Sequence, residues 1–100
     1  MRKVVVLAEA AEDIEQARDF YEAQQSGIGD YCAESLLADI ERLALLHGIH
    51  ARHFGLYRML ADRFPFGIYY RETKTETQVI AVLDLRRDPD WIRSELSWRD

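Results

Sequence analysis

The spacing of apolar residues changes along the chain, and each change marks an element. Lys3-Val-Val-Val-Leu-Ala8 is an unbroken, β-branched run, the pattern of a strand covered on both faces. From about Ala10 to Gln24 the period becomes helical: Ala10, Ile14, Ala17 and Tyr21 share one stripe, and Phe20 widens it. Glu9, Glu12 and Asp13 crowd the start, where carboxylates favour the positive end of a helix dipole. Ser26-Gly-Ile-Gly-Asp30 breaks this helix with two glycines in four residues. A second helix is predicted from about Gly29 to His47, with Ala33, Leu36, Leu37, Ile40, Leu43, Ala44 and His47 as its apolar stripe. Gly48 follows where a left-handed residue ends a helix. So short a link makes the two helices an antiparallel hairpin.

Beyond a loop from His47 to Gly55 the period falls to two. Leu56 to Ala61 reads as a strand, Asp62-Arg63 as a tight connection, and Phe64 to Glu72 as the next strand. Alternation puts Phe66, Ile68 and Tyr70 on the core face and Gly67, Tyr69 and Arg71 on the other. Pro65, which cannot donate to a ladder, belongs at the strand start or in a bulge. Thr73 to Thr77 is a polar turn, and Gln78 to Leu85 a further apolar strand ended by Asp88-Pro89-Asp90. Trp91 to Asp100 reads as a short helix with Asp90 as its cap. The fold class is α+β, in the order β-α-α-β-β-β. Sequential hairpins give a mainly antiparallel sheet that the first strand joins to bury its valines. The helical hairpin is expected on one face, leaving the other partly open to a partner.

One hundred residues, 48% of them apolar, suffice for one core, so residues 1–100 are expected to be a single domain. No apolar run approaches the roughly 20 residues of a membrane span, and the valine-rich start is too short for a secretory leader. A lone Cys32 cannot form an internal disulfide, which suits a reducing cytoplasm, and it reads as a small apolar helix residue. The net charge of −5 is uneven: residues 1–53 hold five Lys/Arg against ten Asp/Glu, and the remainder eight against eight. An acidic chain is a poor general binder of nucleic acid, because phosphate neutralisation supplies most non-specific affinity.

The arginines of the second half are the candidate contacts. Arg58, Arg63, Arg86 and Arg87 form a cationic patch for a target or acidic partner, or else pair with Asp62, Asp84, Asp88 and Asp90 and solubilise the sheet. Tyr69 is expected to be the exposed aromatic contact, and Trp91 and Trp98 a C-terminal anchor. His47, His50 and His53 recur every third residue, but Gly48 within the run does not hold them on one face, so no metal site is assigned. No cofactor motif is present.

Three stretches together resemble the RelE/ParE superfamily of toxins from bacterial type II toxin–antitoxin modules. They are Ala8-Glu-Ala-Ala-Glu-Asp-Ile14 leading into Phe20-Tyr21, Tyr57-Arg58 followed by Arg63-Phe-Pro-Phe-Gly-Ile-Tyr-Tyr70, and Val79 to Leu83 running into Arg86-Arg-Asp-Pro-Asp-Trp91. The resemblance implies the fold above, toxicity, and neutralisation by a cognate antitoxin whose C-terminal segment wraps the hairpin and sheet in a hetero-oligomer. The mRNA-cleaving, RelE-like branch needs cationic groups on the phosphate and proton shuttles. Of the basic set only Arg58, Arg86 and Arg87 match; Leu60 and Gly67 fall at basic positions, Asp84 where many relatives carry His, and Trp91 near the aromatic position. The ParE-like branch resembles this chain in its Arg63-Phe64-Pro65-Phe66 strand, and implies binding to a target such as DNA gyrase, with a role in plasmid stabilisation. The alternatives are a ribosome-dependent mRNA endoribonuclease and a relative that only binds antitoxin. The site residues the resemblance implies are Arg58, Arg63, Tyr69, Arg86, Arg87 and Trp91.

Overall fold

A computed structural model describes residues 2–99. Strand β1 (Lys3–Val6) leads into helix α1 (Ala8–Gln24), then α2 (Ile28–Glu41) and a single turn, α3 (Leu43–Leu46). Strands β2 (Arg52–His53), β3 (Leu56–Leu60), β4 (Phe66–Glu72) and β5 (Glu76–Asp84) follow, and α4 (Pro89–Arg99) comes last. The class is α+β as expected, with one strand and one helical turn more than the periodicity indicates. The predicted second helix breaks at Arg42, and β2 forms inside the predicted loop. Two residues are too short a strand to leave a periodic signature.

The five strands form one sheet in the order β1-β5-β4-β3-β2. Only β1 is parallel to its neighbour, pairing Lys3–Val6 with Glu76–Val79. The register of β4 and β5 slips between Tyr69 and Tyr70, where Ile80 is the extra residue of a bulge. The bulge falls where β1 ends.

Strand β5, between β1 and β4, is buried on both faces, and two cores result. The first packs Ala10, Ile14 and Ala17 of α1 and Leu36 and Ile40 of α2 on Ile68, Tyr70, Val79 and Val82. The second packs Ile92 and Leu96 of α4 on Leu56, Tyr69, Ile80 and Leu83. The face expected to lie partly open is therefore roofed by α4, and Tyr69 is core rather than exposed contact. The tail helix begins earlier than predicted, and its cap is Asp88, whose carboxylate accepts the Asp90 N–H at 2.9 Å, in place of Asp90. The predicted end of this helix at Asp100 lies outside the described residues, as does Met1. Two stripe residues also depart from expectation: Phe20 and Leu37 are exposed, since Ala17 and Leu36 already fill the core positions of those turns. As the sheet's outer strand, β1 is only half-buried, with Val4 and Val6 against the first core.

The hairpin junction shows why two glycines stand there. Gly27 takes a left-handed conformation, φ 92°. The Glu22 carboxylate of α1 accepts the N–H of Gly27 at 3.0 Å and of Gly29 at 2.9 Å, satisfying donors at the start of α2. Gly29 is a close approach: a Cβ there would lie 2.5 Å from the Arg18 carbonyl and 2.7 Å from Glu22 Cβ. Gly29→Ala is expected to lower stability by about 1–3 kcal/mol through this overpacking. Leu96→Ala, which hollows the second core, is expected to lower it by about 2–5 kcal/mol. Urea unfolding of both variants measures these losses, and an unchanged Leu96→Ala midpoint would show that α4 is not docked.

Candidate functional site

One face of α1, with Glu9, Glu12, Gln16 and Phe20, looks across the β5 edge at Trp91, Glu95 and Trp98 of α4. The cleft between them has a volume of about 670 Å³, with Val82–Asp84 as its floor and Arg86 and Arg87 at one end. Both flanking helices present turns of one helical face, at spacings of three and four residues.

The other end is closed by an ion pair. Asp13 and Arg99 meet at 2.5 Å with side chains 8% exposed, and Arg99 Nη2 also reaches Glu95 at 3.2 Å. Asp13 accepts the Val82 backbone N–H at 2.9 Å, and Arg99 donates to the Ile80 carbonyl at 3.4 Å. Burial pushes the Asp13 carboxyl up, against the pull of the Arg99 and Val82 hydrogen bonds. The hydrogen bonds that Arg99 donates to Asp13 raise the Arg99 guanidinium in turn. Sequence reasoning placed Asp13 among the acids at a helix start. Its signal was its place three residues after Ala10 and one before Ile14, on the buried stripe, where an ionised group needs a partner.

Of the six residues singled out from the sequence, Arg86, Arg87 and Trp91 line this cleft. Arg86 grips Asp84 through a 2.6 Å ion pair, and its guanidinium also reaches the Tyr21 hydroxyl at 3.4 Å. The hydrogen bonds from Arg86 hold the Asp84 carboxyl below its ordinary value. Arg87 stacks on the Trp91 ring, 3.7 Å from its centroid. Arg58 and Tyr69 are register partners on β3 and β4, where burial raises the Tyr69 phenol against the pull of the Arg58 guanidinium. Arg58 Nε is buried without a hydrogen-bond partner. Arg63 stands apart from the cleft, donating to the Tyr31 hydroxyl of α2 at 2.5 Å, with Asp62 at 3.7 Å. A side chain at Gly67 would have to displace its neighbours, since a Cβ would meet side-chain atoms of Leu85 at 2.9 Å, Tyr69 at 3.1 Å and Arg58 at 3.2 Å. Leu60, at the end of β3, is exposed.

Each cleft arginine thus already has a carboxylate or ring against it, whereas Glu9 and Glu12 have no ion-pair partner among the described residues. His47 and His50 work elsewhere. His47 Nδ1 meets Glu72 at 2.5 Å, and His50 Nδ1 meets the Tyr70 hydroxyl at 2.5 Å, a hydroxyl that also accepts the Gly48 N–H at 2.9 Å. They pin the connection after α3 to β4.

No family model matches the chain, and no curated protein matches it. Among solved structures it is similar to a chain of the chromosomal ParDE TA system from P. aeruginosa. The two are 17% identical, the match covers 82% of this chain and 94% of that one, and the TM-score is 0.74. The fold is shared.

Two outcomes test this arrangement. Arg99→Ala strands Asp13 and is expected to lower stability by about 3–5 kcal/mol, read by urea unfolding. Burial and the Arg42 charge lower the His50 pKa below 6.5, so the unfolded chain binds the extra proton. The His50 contribution is complete above pH 6.5 and is lost as pH falls through the lowered value. The wild-type urea midpoint should fall more steeply than that of His50→Asn between about pH 7 and 5; parallel curves would refute the assignment.

Proposed function

We propose that the chain, as one domain over residues 1–100, is the toxin of a type II toxin–antitoxin module, of ParE type. The observation that carries this is the fold shared with a chain of a ParDE system over most of both molecules. Proteins of one fold host many activities, so the target is argued from the site. Action by binding, on a target such as DNA gyrase in the cytoplasm, is favoured over RNA cleavage by the state of the candidate residues. Arg86 is held by Asp84, Arg87 lies on Trp91, and Arg58 is packed against Tyr69. Cleavage with 2′-hydroxyl attack needs a group that takes and returns a proton, and an indole has none. Arg63, Arg86, Arg87 and Trp91 are the proposed contacts with target or antitoxin, while Arg58 and the buried Tyr69 support them from below. Neutralisation is by a cognate antitoxin in a hetero-oligomer.

Induction of the chain alone in bacteria should arrest growth with an SOS response and intact transcripts, and co-expression of a small protein encoded beside it should restore growth. Arg86→Ala with Arg87→Ala should weaken the arrest about tenfold or more in the inducer needed. Transcript cleavage without DNA damage would replace this reading with the nuclease one. Harmless expression at good yield would remove both.

A further inference from the structure

Gly48, Ile49 and His50 bridge two anchors between α3 and β2. At one end His47 Nδ1 meets the Glu72 carboxylate, which Arg2 also approaches at 3.9 Å. At the other the Ala51 carbonyl accepts the Arg58 N–H at 3.0 Å. In between, Gly48 takes a left-handed conformation, φ 81°, and Ile49 is 70% exposed, so it packs on little. What holds the middle is one atom. The Tyr70 hydroxyl accepts the Gly48 N–H at 2.9 Å and meets His50 Nδ1 at 2.5 Å, with the imidazole edge-on to the phenol ring.

That hydroxyl fixes the state of its partner. Burial raises the Tyr70 phenol, against the pull of the Gly48 and His50 backbone amides, so it keeps its proton. Tyr70 is fully buried, and among the described residues only Gly48 and His50 reach its oxygen. An amide N–H cannot accept, which leaves His50 Nδ1 as the one acceptor for the phenol proton. The imidazole is therefore neutral, with its own proton on Nε2.

We propose that Gly48–His50 is a proton-operated flap, closed on Tyr70 while His50 is neutral and released when its ring is charged. A charged imidazole donates from both nitrogens, so the phenol proton is left buried without a partner, and that loss favours the open flap. The surroundings push the same way. Arg42, at the end of α2, is the charge that acts on His50, and no carboxylate pairs with the ring among the described residues. Glu72 of β4 is taken by His47 and Arg2. Tyr57 of β3 stacks on Tyr70 with centroids 5.1 Å apart, and Arg52 of β2 lies 4.7 Å over Tyr57. His47 responds in the opposite sense, since a positive ring gains from the Glu72 carboxylate. One anchor thus tightens in acid while the middle lets go, which confines the opening to three residues. The inference needs only this connection, and stands or falls separately from the toxin reading.

The test begins with the unaltered chain. Imidazole nitrogen-15 shifts at neutral pH should show His50 protonated at Nε2 and accepting at Nδ1. Amide exchange, corrected for its intrinsic pH dependence, should show Gly48 losing protection about threefold or more between about pH 7 and 5, ahead of the core amide of Val82. His50→Asn keeps an acceptor near the Nδ1 position but does not titrate, so its Gly48 protection should be level across that range. The inference is overturned if Nδ1 carries the proton at neutral pH, or if Gly48 protection does not change. It is overturned too if Gly48 and Val82 lose protection in parallel, or if His50→Asn shows the same fall.

Discussion

A strand that is apolar on both faces has to be covered twice, and β5 imposes that condition on everything around it. Val79 and Val82 look toward the helical hairpin, while Ile80 and Leu83 look toward α4. Burying such side chains contributes about 1.5–3 kcal/mol each, so neither cover is dispensable in a domain of 100 residues. The hairpin alone would leave Leu56, Tyr69, Ile80 and Leu83 in water. The last helix is thus part of the fold's closure, and the ion pair between Asp13 and Arg99 joins the two covers across the edge of the strand they share.

This explains which parts were legible in the sequence. The hairpin was readable because two amphipathic helices with a Gly-rich link announce themselves by period. β4 and β5 were readable by alternation and apolar content. Tyr69 was misjudged because alternation says only that it faces away from Tyr70, and whether that face is wet depends on where α4, from the far end of the chain, comes to dock. Phe20 and Leu37 were assigned to the core from a stripe drawn one residue too wide. β2 was invisible because two residues have no period. Gly29 looked like a turn residue; its requirement is the Arg18 carbonyl of the helix beside it, a contact no local pattern carries.

The candidate site divides in the same way. Arg86, Arg87 and Trp91 were found because charge and aromatic character stand out at a strand exit, and they do gather in one cleft. Their partners were only partly foreseen. Asp84 as a neutralising neighbour of Arg86 was within reach of sequence proximity, whereas the Arg87–Trp91 stack requires the first turn of α4. Arg99 and Asp13 are 86 residues apart, and nothing local links them. Long-range electrostatics is the level at which a single sequence is least informative.

The parallel pairing of β1 also orders events in time. Arg2, just before that strand, bonds to Thr77 across 75 residues, and Arg99 reaches Asp13 across 86. Loops of that size close late, since chain entropy must be overcome before such contacts form. On a ribosome, the first strand waits without a ladder until β5 has emerged, and the latch waits longer still. Whatever the finished surface binds, a nascent chain does not yet possess it, and the interval before closure is when an early-arriving protein meets an unroofed β5.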